Sequence, residues 1–142
     1  MTSQREKKTK KSSTIFVQIA AYRDPQLLPT IEDMLDKADH PENLRIGIAW
    51  QHSEDDTWPD VDKYEKDDRF RIAKIPYTES KGVCWARNTV QQMYQDEDYT
   101  LQLDSHHRFV GGWDTMLINM LKSLQKDGHN KPLLTGYIPS FD

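Results

Sequence analysis

A carboxylate, two imidazoles and a guanidinium follow one another in Asp104-Ser105-His106-His107-Arg108, directly after the apolar run Tyr99–Leu103. A run of that length and composition suits a buried strand. In open α/β sheets, ligands bind just beyond the carboxyl ends of strands. If the segment stays extended, Asp104 and His106 project to one side and Ser105 and His107 to the other. Asp104 and His106 then offer an oxygen and a nitrogen ligand to a divalent cation. A plainer reading stands beside this one: an acidic residue at a strand end is a common turn former, and neighbouring histidines can be ordinary surface residues.

A second signal lies in Ser80-Lys81-Gly82-Val83-Cys84-Trp85-Ala86-Arg87-Asn88. Gly82 admits a tight turn, after which Val83, Ala86, Val90 and Met93 form an apolar helical stripe. Cys84, Arg87, Asn88 and Gln91 fall on another face. A helix amino terminus with a guanidinium beside it can hold phosphate oxygens; the alternative is that Arg87 pairs with a surface carboxylate. Cys84 can be read as a nucleophile at a helix start, or as a packed, inert residue beside Trp85.

The elements that must position these groups alternate along the chain. Ile15–Ala20 is a near-continuous apolar strand of the kind covered on both faces, followed by Tyr22-Arg23-Asp24-Pro25. Leu27, Leu28, Ile31, Leu35 and Ala38 have helical spacing. Asp24 could cap that helix with Pro25 at its first position, or the helix begins at Pro29. After His40-Pro41-Glu42-Asn43, Leu44, Ile46, Ile48 and Trp50 alternate as a second strand. An acidic loop over 53–68 precedes a third strand at Phe70–Ile75. Trp113, Met116, Leu117, Met120, Leu121 and Leu124 mark an amphipathic helix that Gly128 can end, and Leu133–Tyr137 reads as a last strand. Trp50 and Trp113 read as core. Such alternation predicts an α/β protein, a mostly parallel sheet flanked by helices.

The chain has 142 residues, a net charge of −4 and 36% hydrophobic residues, which suits one folded domain. Residues 1–13 read as a basic disordered tail and 14–142 as the domain. The tail's basic residues against Glu6 give it +4, which leaves −8 on residues 14–142. A body that acidic argues against nucleic-acid binding, which needs a basic face. Cys84 is the only cysteine, so no internal disulfide forms and a reducing compartment is favoured. No apolar run approaches the ~20 residues of a membrane span, and Gln18 with Arg23-Asp24 spoils a signal-peptide reading. These features predict a cytoplasmic protein without membrane partners.

Taken together, the motifs resemble nucleotide-sugar glycosyltransferases of the GT-A fold. Within these they resemble the N-acetylglucosaminyltransferases that modify hydroxyproline, whose best-known members are cytosolic protist enzymes acting on an adaptor subunit of ubiquitin ligases. The stretches carrying the resemblance are 21–25, Trp50-Gln51-His52, 81–88, 102–109 and Leu134-Thr135-Gly136-Tyr137. The resemblance implies a UDP-N-acetylglucosamine donor and a protein acceptor. It implies that Asp104 and His106 hold manganese or magnesium on the donor diphosphate, that Arg87 contacts phosphate or ribose, that Tyr22 and Asp24 line the uridine pocket, and that Arg23 is among the donor-binding residues. The retained anomeric configuration is likewise an implication of the family alone.

Catalytic domains of that family continue beyond the point matching Asp142, so the resemblance further implies a truncated, donor-binding half. The third metal ligand, the catalytic residues and the acceptor pocket are then expected downstream. Two other classes compete: a metal-dependent hydrolase using Asp104, His106 and His107 with His52, and a donor-binding or interaction module without transferase activity, using Trp58, Trp85 and the basic tail as surface.

Overall fold

The computed structural model describes residues 13–129 and 132–134. Four strands, β1 (Ile15–Tyr22), β2 (Leu44–His52), β3 (Phe70–Pro76) and β4 (Tyr99–Asp104), form one sheet in the order β3-β2-β1-β4. All three pairings are parallel. Three helices flank it: α1 (Leu27–Lys37), α2 (Val83–Gln91) and α3 (Trp113–Lys126). The arrangement is α/β and Rossmann-like, as the alternation predicts. Among the described residues no helix is long and apolar enough to cross a membrane.

Alternate residues of β1 and β2 build two cores. Ile15, Val17, Ile19 and Ala21 of β1, with Leu44, Ile46 and Ile48 of β2, pack against Leu27, Ile31 and Met34 of α1 and Trp113 of α3. Phe16 and Ala49 face the other way, onto Ala86 and Val90 of α2. Gly47 lies within this second core because a Cβ there would come 2.8 Å from the Phe16 ring and 3.0 Å from Val90.

Several expectations are corrected. Helix α1 begins at Leu27, between the two predicted starts; Asp24 does not cap it but accepts the Gln26 N–H at 2.8 Å, just outside it. Pro29 fits within the first turn, where amides have no intrahelical partner. Strand β4 is buried on one face only: Tyr99, Leu101 and Leu103 are half-buried, whereas Thr100, Gln102 and Asp104 are exposed. The reason is its place at the edge of the described sheet, with α2 packed over β1 and β2 instead. Val83 and Cys84 stand exposed at the start of α2, so Val83 is not part of the buried stripe and Cys84 is not packed.

In α3, Trp113 is buried as predicted, but Met116 and Met120 are about half exposed. Gly128 closes α3 as predicted, with its N–H on the Gln125 carbonyl and the His129 N–H on that of Leu124, the paired bonds of a Schellman end. Pro132–Leu134 have no regular structure. The rest of the predicted last strand, residues 135–137, and residues 1–12 of the tail lie outside the described residues.

Candidate functional site

In the order β3-β2-β1-β4, the chain steps from β1 to one side first and to the other side later, so β1 and β4 flank a topological switch point. In such sheets the crevice outside the carboxyl ends at that point is the usual ligand position. The register pairs Ala20 with Asp104, and β1 runs on to Tyr22 along β2, so Asp24 and Ser105 follow neighbouring strand ends. The residues singled out from the sequence therefore come from two distant stretches to one place.

Asp24 sits at the centre of the α1 side. Its Oδ2 accepts a 2.6 Å hydrogen bond from the Ser105 hydroxyl and lies 3.0 Å from His106 Nδ1. With Gln26 N–H on Oδ1, three of its roughly four acceptor positions are used. Burial alone would raise the Asp24 pKa, but these hydrogen bonds and the nearby His106 outweigh it and hold the carboxyl below its ordinary value.

The chain bends at Ser105 and His106, so strict alternation stops at Asp104. Alternation would set Ser105 and His106 on opposite sides, yet both reach the same Asp24 oxygen. The bend is fixed from α1. Thr30, fully buried, donates to the Ser105 carbonyl at 3.0 Å and accepts the His107 N–H at 2.9 Å and an Arg108 guanidinium N–H at 3.3 Å. Asp33 accepts the Phe109 N–H at 2.6 Å, and the Trp113 indole donates to the Met34 carbonyl. His107 packs edge-on against Phe109 with ring centroids 4.5 Å apart. Its burial lowers the imidazole pKa.

On the α2 side, Arg87 Nη2 lies 3.8 Å from Asp104 Oδ1, with side chains 41% and 62% exposed. Both readings of Arg87 thus meet: it faces a surface carboxylate, and that carboxylate is the candidate metal ligand. An exposed pair at this separation contributes about 0–1 kcal/mol, so an arriving anion displaces it at little cost. Gly82, at φ +98°, caps α2 without a side-chain hydrogen bond and leaves the first-turn amides open.

Arg23 takes a scaffolding position. It is a non-glycine residue in the left-handed region, φ +43°, with its N–H on the Gln51 carbonyl at 2.8 Å. Its guanidinium pairs with Asp56 at 2.8 Å and covers the Tyr77 ring at 4.8 Å. Such a conformation costs on the order of 1–3 kcal/mol and persists where its surroundings enforce it. Arg23 directly precedes Asp24, whose carboxylate meets Ser105 and His106 after β4. Tyr22 is 55% exposed and touches Tyr77 only edge-on, with centroids 6.4 Å apart, so one ring face is open.

His52 stacks on Trp50 at 4.4 Å, at the end of β2. Among the described residues no three histidine, cysteine or acidic side chains form a group able to hold a metal ion, so the hydrolase set of Asp104, His106, His107 and His52 is not assembled.

Sequence reasoning missed Thr30, Ser105 and Asp33 as the clamp of this site. Thr30 left a trace, since Leu27, Thr30, Ile31 and Met34 share one helical stripe, and a polar residue on a buried stripe needs a partner.

No curated protein matches the chain. A family model described as Glycosyltransferase (GlcNAc) matches residues 14–70 and 58–142, which takes in both strand ends, Arg87 and the Asp104–His106 triplet. The chain belongs to this glycosyltransferase family.

Proposed function

We propose that this glycosyltransferase has the GT-A arrangement and takes UDP-N-acetylglucosamine with a divalent cation, manganese or magnesium, for transfer to a protein hydroxyl. Hydroxyproline is the acceptor class that the sequence resemblance supports. The observation carrying the reading is the placement of Asp24, Arg87, Asp104 and His106 around the carboxyl-terminal junction of β1 and β4.

The donor set suits such a cation. Asp104 presents an exposed carboxylate, and His106, 60% exposed, has Nδ1 engaged by Asp24, which leaves Nε2 to ligate. A cation on a diphosphate completes its shell from phosphate oxygens and water, and a nitrogen ligand favours manganese over magnesium. When bound, the cation supplies Lewis-acid neutralisation of charge developing on the leaving diphosphate. Arg87 exchanges its loose pairing with Asp104 for a forked, charge-assisted contact with phosphate oxygens. Tyr22 offers its open face to the base, Asp24 Oδ1 keeps one acceptor position for it, and Arg23 holds the Tyr22–Asp24 turn in shape.

Thermal unfolding tests the proposal. UDP with Mn²⁺ should stabilise the chain by roughly 2.7 kcal/mol at ~100 times the dissociation constant, and each alone should do far less. An equal shift with ADP, or one indifferent to metal, would defeat the donor assignment.

The two histidines should then separate. His106→Ala is expected to remove the metal-dependent part of UDP binding by calorimetric titration. His107→Ala should keep it and instead lower stability by about 1–2 kcal/mol, the usual range for loss of a half-buried packed side chain. Equal losses of binding from both would place His107 in the crevice after all.

A further inference from the structure

We infer that Asp24 is a positioning residue for His106: its carboxylate holds the imidazole as the Nδ1–H tautomer and presents Nε2, with its lone pair, to the crevice. The use of that lone pair rests on the function proposed above, whereas the tautomer does not.

The argument begins with the inventory of donors. An ionised carboxylate only accepts hydrogen bonds, so the 3.0 Å contact between Asp24 Oδ2 and His106 Nδ1 requires the proton on Nδ1. The carboxylate is itself immobilised. Ser105 donates to Oδ2, the Gln26 amide donates to Oδ1, and the Leu27 amide bonds the Asp24 carbonyl at 3.2 Å. The turn beneath it is fixed by Arg23, whose N–H bonds Gln51 on the neighbouring strand and whose side chain is tied to Asp56. Asp24 is only 18% exposed at its side chain, while His106 is 60% exposed. A fixed acceptor therefore orients a solvent-facing ring, and not the reverse. Metal-binding imidazoles characteristically have such a carboxylate behind them, and its loss lowers metal affinity roughly 10–100-fold.

The test uses the full chain. In the metal-free protein at pH 8.5, long-range proton–nitrogen correlation spectra should show neutral His106 protonated at Nδ1 and unprotonated at Nε2. In Asp24→Asn, the amide can donate to Nδ1, and the proton should move to Nε2. The same variant should weaken Mn²⁺ binding to the UDP-saturated protein at least tenfold. Ser105→Ala keeps the carboxylate and should keep the wild-type tautomer, which guards against a folding defect in the first variant. A merely structural Asp24 would lower the melting temperature without moving the ring proton. Wild-type His106 protonated at Nε2, or an unchanged tautomer in Asp24→Asn, would overturn the assignment. If the tautomer moves as stated but wild-type UDP binding ignores Mn²⁺, the donor proposal fails while the positioning of His106 stands.

Discussion

Arg71→Met should destabilise the protein by about 3–5 kcal/mol, the cost of leaving a buried charge without its partner. Arg71 reaches from β3 across the lower part of the sheet. It donates to Glu97 at 2.8 Å and to the Met93 carbonyl at 2.7 Å, with its guanidinium 5.4 Å from the Phe16 ring centre. Side-chain exposure is 18% for Arg71 and 5% for Glu97, so solvent screens the pair little. Glu97 in turn accepts the Gln95 amide and fixes the turn that feeds β4, the strand ending in Asp104. The double variant Arg71→Met, Glu97→Met should recover most of the loss, because removing both charges also removes both desolvation penalties. Urea midpoints at constant slope would measure this. A single-variant loss below about 1 kcal/mol would mean that the pair behaves as a solvated surface bridge.

The sign of the pH dependence adds a second check on the same pair. Burial pushes the Glu97 pKa up, but hydrogen bonds from Arg71 and the Gln95 amide outweigh it and bring the carboxyl below its ordinary 4.5. A depressed folded pKa contributes stability that is complete above the unfolded value and lost as pH falls through the folded one. Wild type should therefore lose this contribution below about pH 4.5. In Arg71→Met the Gln95 amide still lowers the Glu97 pKa but the Arg71 contribution is gone, so burial weighs more and protonation relieves the stranded charge. The gap between the two proteins should narrow as the solution is acidified.

How much of this was legible beforehand depended on whether the signal was local. The apolar run of β1 and the alternation in β2 each announced a strand, because side-chain period reports burial directly. Tyr99, Leu101 and Leu103 suit a buried strand, but Thr100, Gln102 and Asp104 between them spell the alternation of a half-covered one. The candidate site was legible as two strand ends and one helix start. What joins them was not: Asp24 meets Ser105 and His106 across more than 80 residues, and only the β1–β4 pairing brings them together. Arg23 shows the limit most clearly. The resemblance counts it among the donor-binding residues, yet Asp56 lies close enough to claim the guanidinium, and no periodicity reports that.

Thr30→Val should abolish metal-dependent UDP binding and cost about 2–4 kcal/mol of stability, even though it changes almost no volume. The Thr30 hydroxyl is the one group on α1 that bonds both Ser105 and His107, donating to the first at 3.0 Å and accepting from the second at 2.9 Å. Valine leaves a carbonyl and an amide unpaired around a fully buried position. Each such group costs about 1–3 kcal/mol, and the lower part of the summed range applies because His107 is only half-buried and partly hydrates. Freed of this clamp, Ser105 no longer holds its hydroxyl on Asp24, and the bend that brings His106 to the same oxygen relaxes. Thr30→Ser is the control: it keeps the hydroxyl, loses one methyl worth about 1 kcal/mol, and should retain UDP and Mn²⁺ binding. Denaturant titration reads the stability and calorimetry reads the binding. If Thr30→Val bound UDP with Mn²⁺ as tightly as wild type, the β1–β4 pairing alone would set the bend, and α1 would have no part in shaping the site.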